Sequence, residues 1–292
     1  MTDGAASTLF SCDPAIHSDI SEATSRLTSR DPEKFWTSGQ WMTEKRGGSD
    51  VSRSTETSAA LSEDGQHYVI SGYKWFSSAT DSDMSLVLAR REGISGLDLF
   101  FVRTRDPETQ KLNNIEIVKL KNKLGTRQLP TAELILNGSK GQLISEDGRG
   151  VAKISNMLTV TRLHNVISAT SFQRKLVSLA RDYSERRFAF SKRISQHSLH
   201  LNTLQLLEVD ARGCTIFMLD LARQLGLQET HMIGDQDALL LRLMMPVAKM
   251  LTAKKAVANA SEGIECFGGQ GYIEDTGIPI ILRDSQVTLK EF

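Results

Sequence analysis

Residues 67–78 read HYVISGYKWFSS, and the pattern in them sets the architecture on both sides. Tyr68, Ile70 and Gly72 alternate with Val69 and Ser71, the period of a strand. Asp64-Gly65 just before is a turn signal. Runs of the same kind follow at MSLVLAR (84–90), LDLFFV (97–102), NIEIVKL (114–120) and AELILNG (132–138). Gly93, Asp106-Pro107, Asn113-Asn114 and Asn137-Gly138 punctuate them. Short strands with no long helix between them predict a compact antiparallel barrel or sandwich over about 38–145.

The texture differs outside this region. Residues 1 to about 35 are polar and weakly periodic, which predicts loops with one short helix. From about 150, VAKISNMLTVTRLHNVISATSFQRKLVSLARDYSERRF (151–188) has helix-compatible spacing. Leu199, Leu204, Leu207, Ala211 and Cys214 predict a second helix toward Leu225, with Gly226 as its stop. A third segment runs from Asp235 toward Phe267, and Pro246 within it predicts a kink or local break. Three long helices make half of a helical bundle. The fold class is therefore α+β, divided into a short N-terminal piece (1–37), a β domain (38–146) and a helical domain (147–292).

Bulk properties exclude several functions. Lys+Arg and Asp+Glu are both 35, so the chain lacks the charge excess of a broad nucleic-acid footprint. No apolar run approaches membrane-span length. Cys12, Cys214 and Cys266 are too scattered for a disulfide framework or a zinc site, so no metal is expected and a reducing compartment fits. The start, MTDGAASTLF, has neither a signal-peptide nor a transit pattern, so an intracellular location is expected with the compartment unassigned. GxxxxGK[ST], GxSxG and HExxH are all absent.

Four stretches hold chemistry-bearing residues. QWMTEKRGGSDVS (40–52) combines hydroxyls with glycines that permit close backbone approach, although Gly-Gly-Ser-Asp is also an ordinary turn. GYKWFSSATDSD (72–83) sets aromatics beside hydroxyls. ERRFAFSKRI (185–194) offers guanidinium forks suited to phosphate, or a solvated helix end. FGGQGY (267–272) follows a helix rather than a strand, which disfavours a Rossmann fingerprint and leaves a helix cap or a phosphate loop.

In order, MTEKRGGSD, GYKWFSS, KLKNKLGTRQLPTAEL, the R-x-x-F of Arg187 to Phe190, and FGGQGY followed by LRDS resemble the acyl-CoA dehydrogenase family over most of 38–288. The details are similar to the branch of the bacterial alkylation-response flavoprotein and its eukaryotic relatives: Phe76 stands where other members have tryptophan, and Glu265 where many have glutamine. The resemblance implies an N-terminal helical domain, a middle β domain and a C-terminal helical bundle, FAD between the last two, and a dimer or tetramer. It implies an oxidoreductase of fatty-acid metabolism that removes two hydrogens across Cα–Cβ of an acyl-CoA thioester, with a glutamate taking the α-proton. Met42, Thr43, Ser49, Phe76, Ser77 and Ser78 would lie along the flavin, Ser49 also near CoA. Arg187 and Phe190, with Glu265, Gly268 and Gly269, would reach the FAD of a neighbouring subunit. Arg162 matches an arginine near the acyl-CoA site.

The chain departs from the family in two ways. Beyond Thr288 it reads LKEF, without the expected glutamate motif, and Glu291 falls one residue out of register. Some members carry the base just before the arginine matched by Arg162, where this chain has Thr161. Most of the N-terminal helical domain is also absent, so a chain shortened at both ends is expected, with no catalytic residue identified. Two other readings stay open: an impaired flavin-binding or regulatory subunit of a hetero-oligomer, and a DNA-associated flavoprotein.

Overall fold

In the computed structural model, residues 1–12 and 18–289 are described. Glu291 lies outside them. The chain separates into two compact units, Met1–Lys123 with Arg127–Thr161, and Leu124–Thr126 with the residues from Arg162 onward.

The first unit opens with α1 (Thr2–Phe10) and α2 (Ser18–Leu27). Two helices stand where one was expected, because α1 packs through small residues. Gly4, Ala5, Ala6 and Thr8 are buried with Leu9, and the Thr8 hydroxyl donates to the Gly4 carbonyl at 2.8 Å. Hydropathy reads such a face as weak. Next come β1 (Ser38–Trp41), the single turn α3 (Val51–Ser54), β2 (Ser58–Leu61), β3 (Tyr68–Ser78), β4 (Met84–Arg91), β5 (Asp98–Arg103), β6 (Ile115–Leu120) and β7 (Thr131–Leu143).

These strands form one seven-stranded sheet in which β4, β2, β3, β7 and β5 pair in a closed ring, with β1 added to β4 and β6 to β7. Most pairings are antiparallel, while β1–β4 and β2–β4 are parallel. Closure leaves two faces, and β4 and β5 are buried on both. Leu86, Leu88, Leu99 and Phe101 join α1, α2 and Met157 in one cluster. Val87, Ala89, Phe100 and Val102 join Trp41, Ile70 and Leu134 in another. This is why MSLVLA and LFFV read as continuous apolar runs rather than alternating ones.

The helical segments begin with α4 (Gly150–Arg186), whose residues up to Thr161 are assigned to the first unit. A two-residue pair follows, β8 (Phe188–Ala189) with β9 (Lys192–Arg193). Then come α5 (Ser198–Glu229), α6 (Asp235–Glu265) and α7 (Ile278–Thr288). Two apolar clusters hold the second unit. One joins Leu176, Ala180, Leu204, Leu207, Ala260 and Ile281. The other joins Leu163, Val166, Leu221, Leu241 and Met245.

Two sequence expectations are corrected here. Helix α5 passes Gly226 and ends at Glu229, where the Thr230 amide donates to the Gly226 carbonyl at 3.1 Å. Helix α6 continues through Pro246 without a break, with Met245 and Ala248 on either side of it buried.

Candidate functional site

The first unit welds two of the sequence motifs together. Met42 is buried in the cluster that also holds Leu86 and Phe101, Thr43 is half-buried, and Ser49 is exposed on the loop beyond them. The Glu44 carboxylate is buried and accepts four hydrogen bonds: from Lys74 Nζ at 2.7 Å, Thr57 Oγ1 at 2.6 Å, and the amides of Glu56 at 2.6 Å and Thr57 at 3.2 Å. Lys74, with 0% exposure, also donates to the Leu88 carbonyl at 2.9 Å. One residue on, the Trp75 amide donates to the Thr43 carbonyl at 2.9 Å. MTEK and KWFSS are thus one rigid piece. Burial works against the Glu44 charge, but Lys74 and the surrounding donors hold its pKa below the ordinary carboxylate value. Burial lowers the Lys74 pKa, and Glu44 opposes that shift.

The surface of this piece is aromatic and cationic. Phe76 is half-buried, and Lys121 Nζ sits 3.5 Å from the Trp75 ring centroid and 5.2 Å from that of Phe76. Lys121 also bonds Glu133 at 2.8 Å, and Tyr73 donates to the same carboxylate, which pushes the Tyr73 phenol up to about 12. Ser78 Oγ pairs with Thr131 Oγ1 at 2.9 Å. Ser77 differs: its Oγ is buried and has no hydrogen-bond partner among the described residues.

The second unit brings Arg187, Phe190, Gly268 and Gly269 to one cavity of about 510 Å³, from segments some eighty positions apart. After α4 the chain turns back through β8 and β9, and the Ile194 amide closes onto the Arg187 carbonyl at 2.9 Å. Phe190 and Ser191, the two turn residues, sit at φ +53° and +64°. That left-handed turn matches the strand twist and thrusts Phe190 outward, 91% exposed. Gly268 has φ +56°, where a side chain would be strained. Gly271 lies so close to Ile264 that an added Cβ would fall 2.1 Å from its carbonyl oxygen. The glycine cluster therefore turns tightly off α6 and leaves the backbone at 268 and 269 open.

Among the described residues the Arg187 guanidinium has no ion pair, and no carboxylate lines the cavity. Glu265, at the end of α6, is exposed and is not in the lining. In the same unit Asp284, from the LRDS stretch of α7, accepts the Thr126 amide at 2.6 Å and so ties Leu124–Thr126 to it. Arg162 lies half-buried on α4 without an ion pair among the described residues, and the neighbouring Thr161 hydroxyl donates to the Leu158 carbonyl at 3.0 Å.

These groups fit a flavin dinucleotide. Ring heteroatoms require small donors beside flat aromatic surface, and Ser78 and Phe76, two positions apart on β3 and both half-buried, supply both on one face, whereas the Ser77 hydroxyl points into the barrel. A diphosphate requires a guanidinium and open backbone, and the Arg187–Gly268–Gly269 cavity supplies those. Glu44, Lys74, Lys121 and Glu133 escaped the sequence reading, although Lys74 continues the inward alternation of Ile70, an informative place for a lysine. Among the described residues no cluster of metal-ligating side chains occurs, and no helix is long and apolar enough to cross a membrane.

Comparison with known proteins shows the family. The family model for the acyl-CoA dehydrogenase middle domain matches residues 39–139, and the model for the C-terminal domain matches 148–289. The chain is 52% identical to acyl-CoA dehydrogenase family member 11 of Caenorhabditis elegans, over 99% of this chain and 48% of that protein. It is 34% identical to AidB of Escherichia coli K12, over 85% of this chain and 44% of that protein. The crystal structure of C. elegans ACDH-11 in complex with C11-CoA superposes with a TM-score of 0.94 at 51% identity, covering 98% of this chain and 50% of that one. The chain spans about half the length of the curated relatives it matches.

Proposed function

The chain belongs to the acyl-CoA dehydrogenase family, and on that premise we propose that it is a FAD-binding module acting on acyl-CoA thioesters, with domains 1–37, 38–146 and 147–292. Met42, Thr43, Ser49, Phe76, Ser77 and Ser78 serve the flavin from the barrel. Arg187, Phe190, Gly268 and Gly269 serve the diphosphate and adenosine half of a neighbouring subunit's FAD, with Glu265 at their edge. The CoA thioester is assigned to Ser49 and Arg162, each on its own unit. ACDH-11, in its complex with C11-CoA, supports the substrate class. The observation that carries the reading is the convergence of Arg187, Phe190, Gly268 and Gly269 on one acid-free cavity.

When bound, FAD supplies a hydride acceptor that passes electrons on singly. The chain's own part would be to hold the ring against Phe76, meet it with the Ser78 hydroxyl and, across a subunit interface, neutralise the diphosphate of a neighbouring copy's FAD with Arg187. No carboxylate is assigned to the α-proton. Thr161, the residue before Arg162, has no useful basicity near neutral pH, and a general base typically contributes ~10²–10⁴-fold. That threonine favours a second reading, a flavin-binding subunit of low intrinsic activity. Helices α5 and α6 expose apolar side chains, including Ile216 and Leu243, which supports a homo-oligomer.

The test is flavin retention. The purified chain incubated with FAD and desalted should carry flavin absorbance. Arg187→Gln should weaken FAD binding by roughly tenfold to a hundredfold, the worth of a charge-assisted hydrogen bond. A chain that stays colourless sinks the proposal. Anaerobic addition of acyl-CoA thioesters separates the two readings: slow bleaching marks the impaired subunit, and fast bleaching rules it out.

A further inference from the structure

Glu44 holds together more than its own ion pair. Thr57 lies 13 positions further on, and between the two runs a stretch that exposes Lys45, Arg46, Ser49 and Arg53. The carboxylate accepts from the amides of Glu56 and Thr57, at the far end of that stretch, and so closes the loop on itself. On its other side it takes Lys74 Nζ at 2.7 Å, and Lys74 reaches on to the Leu88 carbonyl at 2.9 Å. With Thr57 Oγ1 at 2.6 Å the donors number four, about as many as an ionised carboxylate has acceptor sites. One side chain therefore ties both ends of the loop to β3 and, through Lys74, to β4. Arg90 of β4 adds a second tie, donating to the carbonyls of Thr55 at 2.7 Å and Ser52 at 2.6 Å.

Both halves of the pair adjoin residues assigned to the flavin. Glu44 follows Thr43, and Lys74 stands two positions before Phe76 and four before Ser78. Ser49 rides on the loop that Glu44 closes. A buried ion pair is a poor source of stability, because well-packed apolar groups of similar volume serve as well or better. Apolar groups cannot, however, hold amides that come from a distant segment. We propose that Glu44 and Lys74 are positioning residues for the cofactor, clamping the 45–56 loop to β3 so that Thr43 and Ser49 meet the same ligand as Phe76 and Ser78. The assignment rests on the flavin reading above. Its physical basis is preorganisation: a loop fixed beforehand leaves less ordering to be done on binding.

The experiment compares the full wild-type chain with Glu44→Leu combined with Lys74→Met. Three readings are taken: the unliganded melting curve, FAD affinity with the visible spectrum of the bound flavin, and the rate of trypsin cleavage after Lys45, Arg46 and Arg53. The double variant should keep most of the wild-type melting temperature, since neither charge is left stranded. It should bind FAD about tenfold or more weaker, and the bound flavin should lose the fine structure of its long-wavelength band. Trypsin should cut the unliganded loop about tenfold faster, because cleavage follows the population of the open form. A pair that served stability alone would leave affinity, spectrum and cleavage rate unmoved, and that result overturns the assignment while the flavin reading stands. Weakened FAD binding with wild-type cleavage also overturns it, since the loss then arises elsewhere than in the loop. A wild-type chain that binds no FAD overturns the flavin reading and this assignment together. If the double variant does not melt cooperatively, Thr57→Val carries the same comparisons, because it removes one donor to Glu44 and keeps the side-chain size.

Discussion

Lys74 carries a charge at 0% exposure, and Glu44 is the reason it can. Removing one partner of such a pair strands the other in the barrel wall, which costs about 3–5 kcal/mol, whereas replacing both with apolar groups costs far less. Lys74→Met should therefore destabilise the first unit by about that amount, and adding Glu44→Leu should recover much of it. All three tryptophans, Trp36, Trp41 and Trp75, lie in this unit, so tryptophan fluorescence in a denaturant titration reads it selectively. A single-variant loss under about 1 kcal/mol would mean the pair is solvated in solution. The pair also sets an acid limit. The Glu44 pKa is lowered from its ordinary 4.5, so the folded state binds that proton less readily than the unfolded one. Its stabilisation is complete above about pH 4.5 and is lost as the pH falls through the lowered folded value. The stability gap between wild type and Glu44→Gln should accordingly narrow on acidification below that point, and a gap that widens would contradict the assignment. At this scale the motifs singled out Arg187 and Gly268, which the fold brings to one cavity. The sequence was silent where the partner came from tertiary packing. Glu44 meets Lys74 across thirty positions.

Elements were legible in proportion to how much of them is buried by large side chains. Strands β3 to β7 announced themselves because Leu, Val and Phe fill both faces of β4 and β5. Strands β1 and β2, SGQW and SAAL, have four residues each and few bulky groups, so periodicity had nothing to register. Helix α1 hid for the same reason, its buried face being glycine, alanine and threonine. The helical segments tell the opposite story, of local rules overridden. Glycine inside a helix costs only about 1 kcal/mol, so α5 runs through Gly226 to Glu229. Proline costs about 3 kcal/mol, yet α6 runs through Pro246 because Leu241, Met245 and Ala248 anchor both sides of it. Pro246 itself is exposed, so its ring contributes little packing to offset that penalty. Pro246→Ala should raise the melting temperature of the helical signal in far-ultraviolet circular dichroism, with a gain of up to about 3 kcal/mol. An unchanged or lower melting temperature would show that the helix depends on the local geometry proline imposes.

Across the whole molecule, the second unit leaves apolar side chains bare on α5 and α6. On α5, Leu199, Leu206, Val209 and Ile216 recur at spacings of seven, three and seven, and all are exposed. On α6, Leu239, Leu243 and Val247 recur every four residues, with Met250 beyond them. Each series traces one helix face, so the side chains are stripes rather than scattered single residues, and continuous exposed stripes mark contact surfaces. Charged residues would be the economical choice on a face that met only water, and α5 uses them elsewhere: Glu208 pairs with Arg174 and Arg212, and Asp210 pairs with Lys255. A second copy of the chain is the occupant the family reading supplies. Wild-type chain should therefore elute as a dimer or larger species by light scattering coupled to size exclusion. Ile216→Glu combined with Leu243→Glu should shift it to monomer. Both side chains are already exposed, at 70% and 64%, so the fold should keep its helical content through the change. A monomeric wild type would sink the oligomer outright. A variant that stays associated would move the interface off these two stripes.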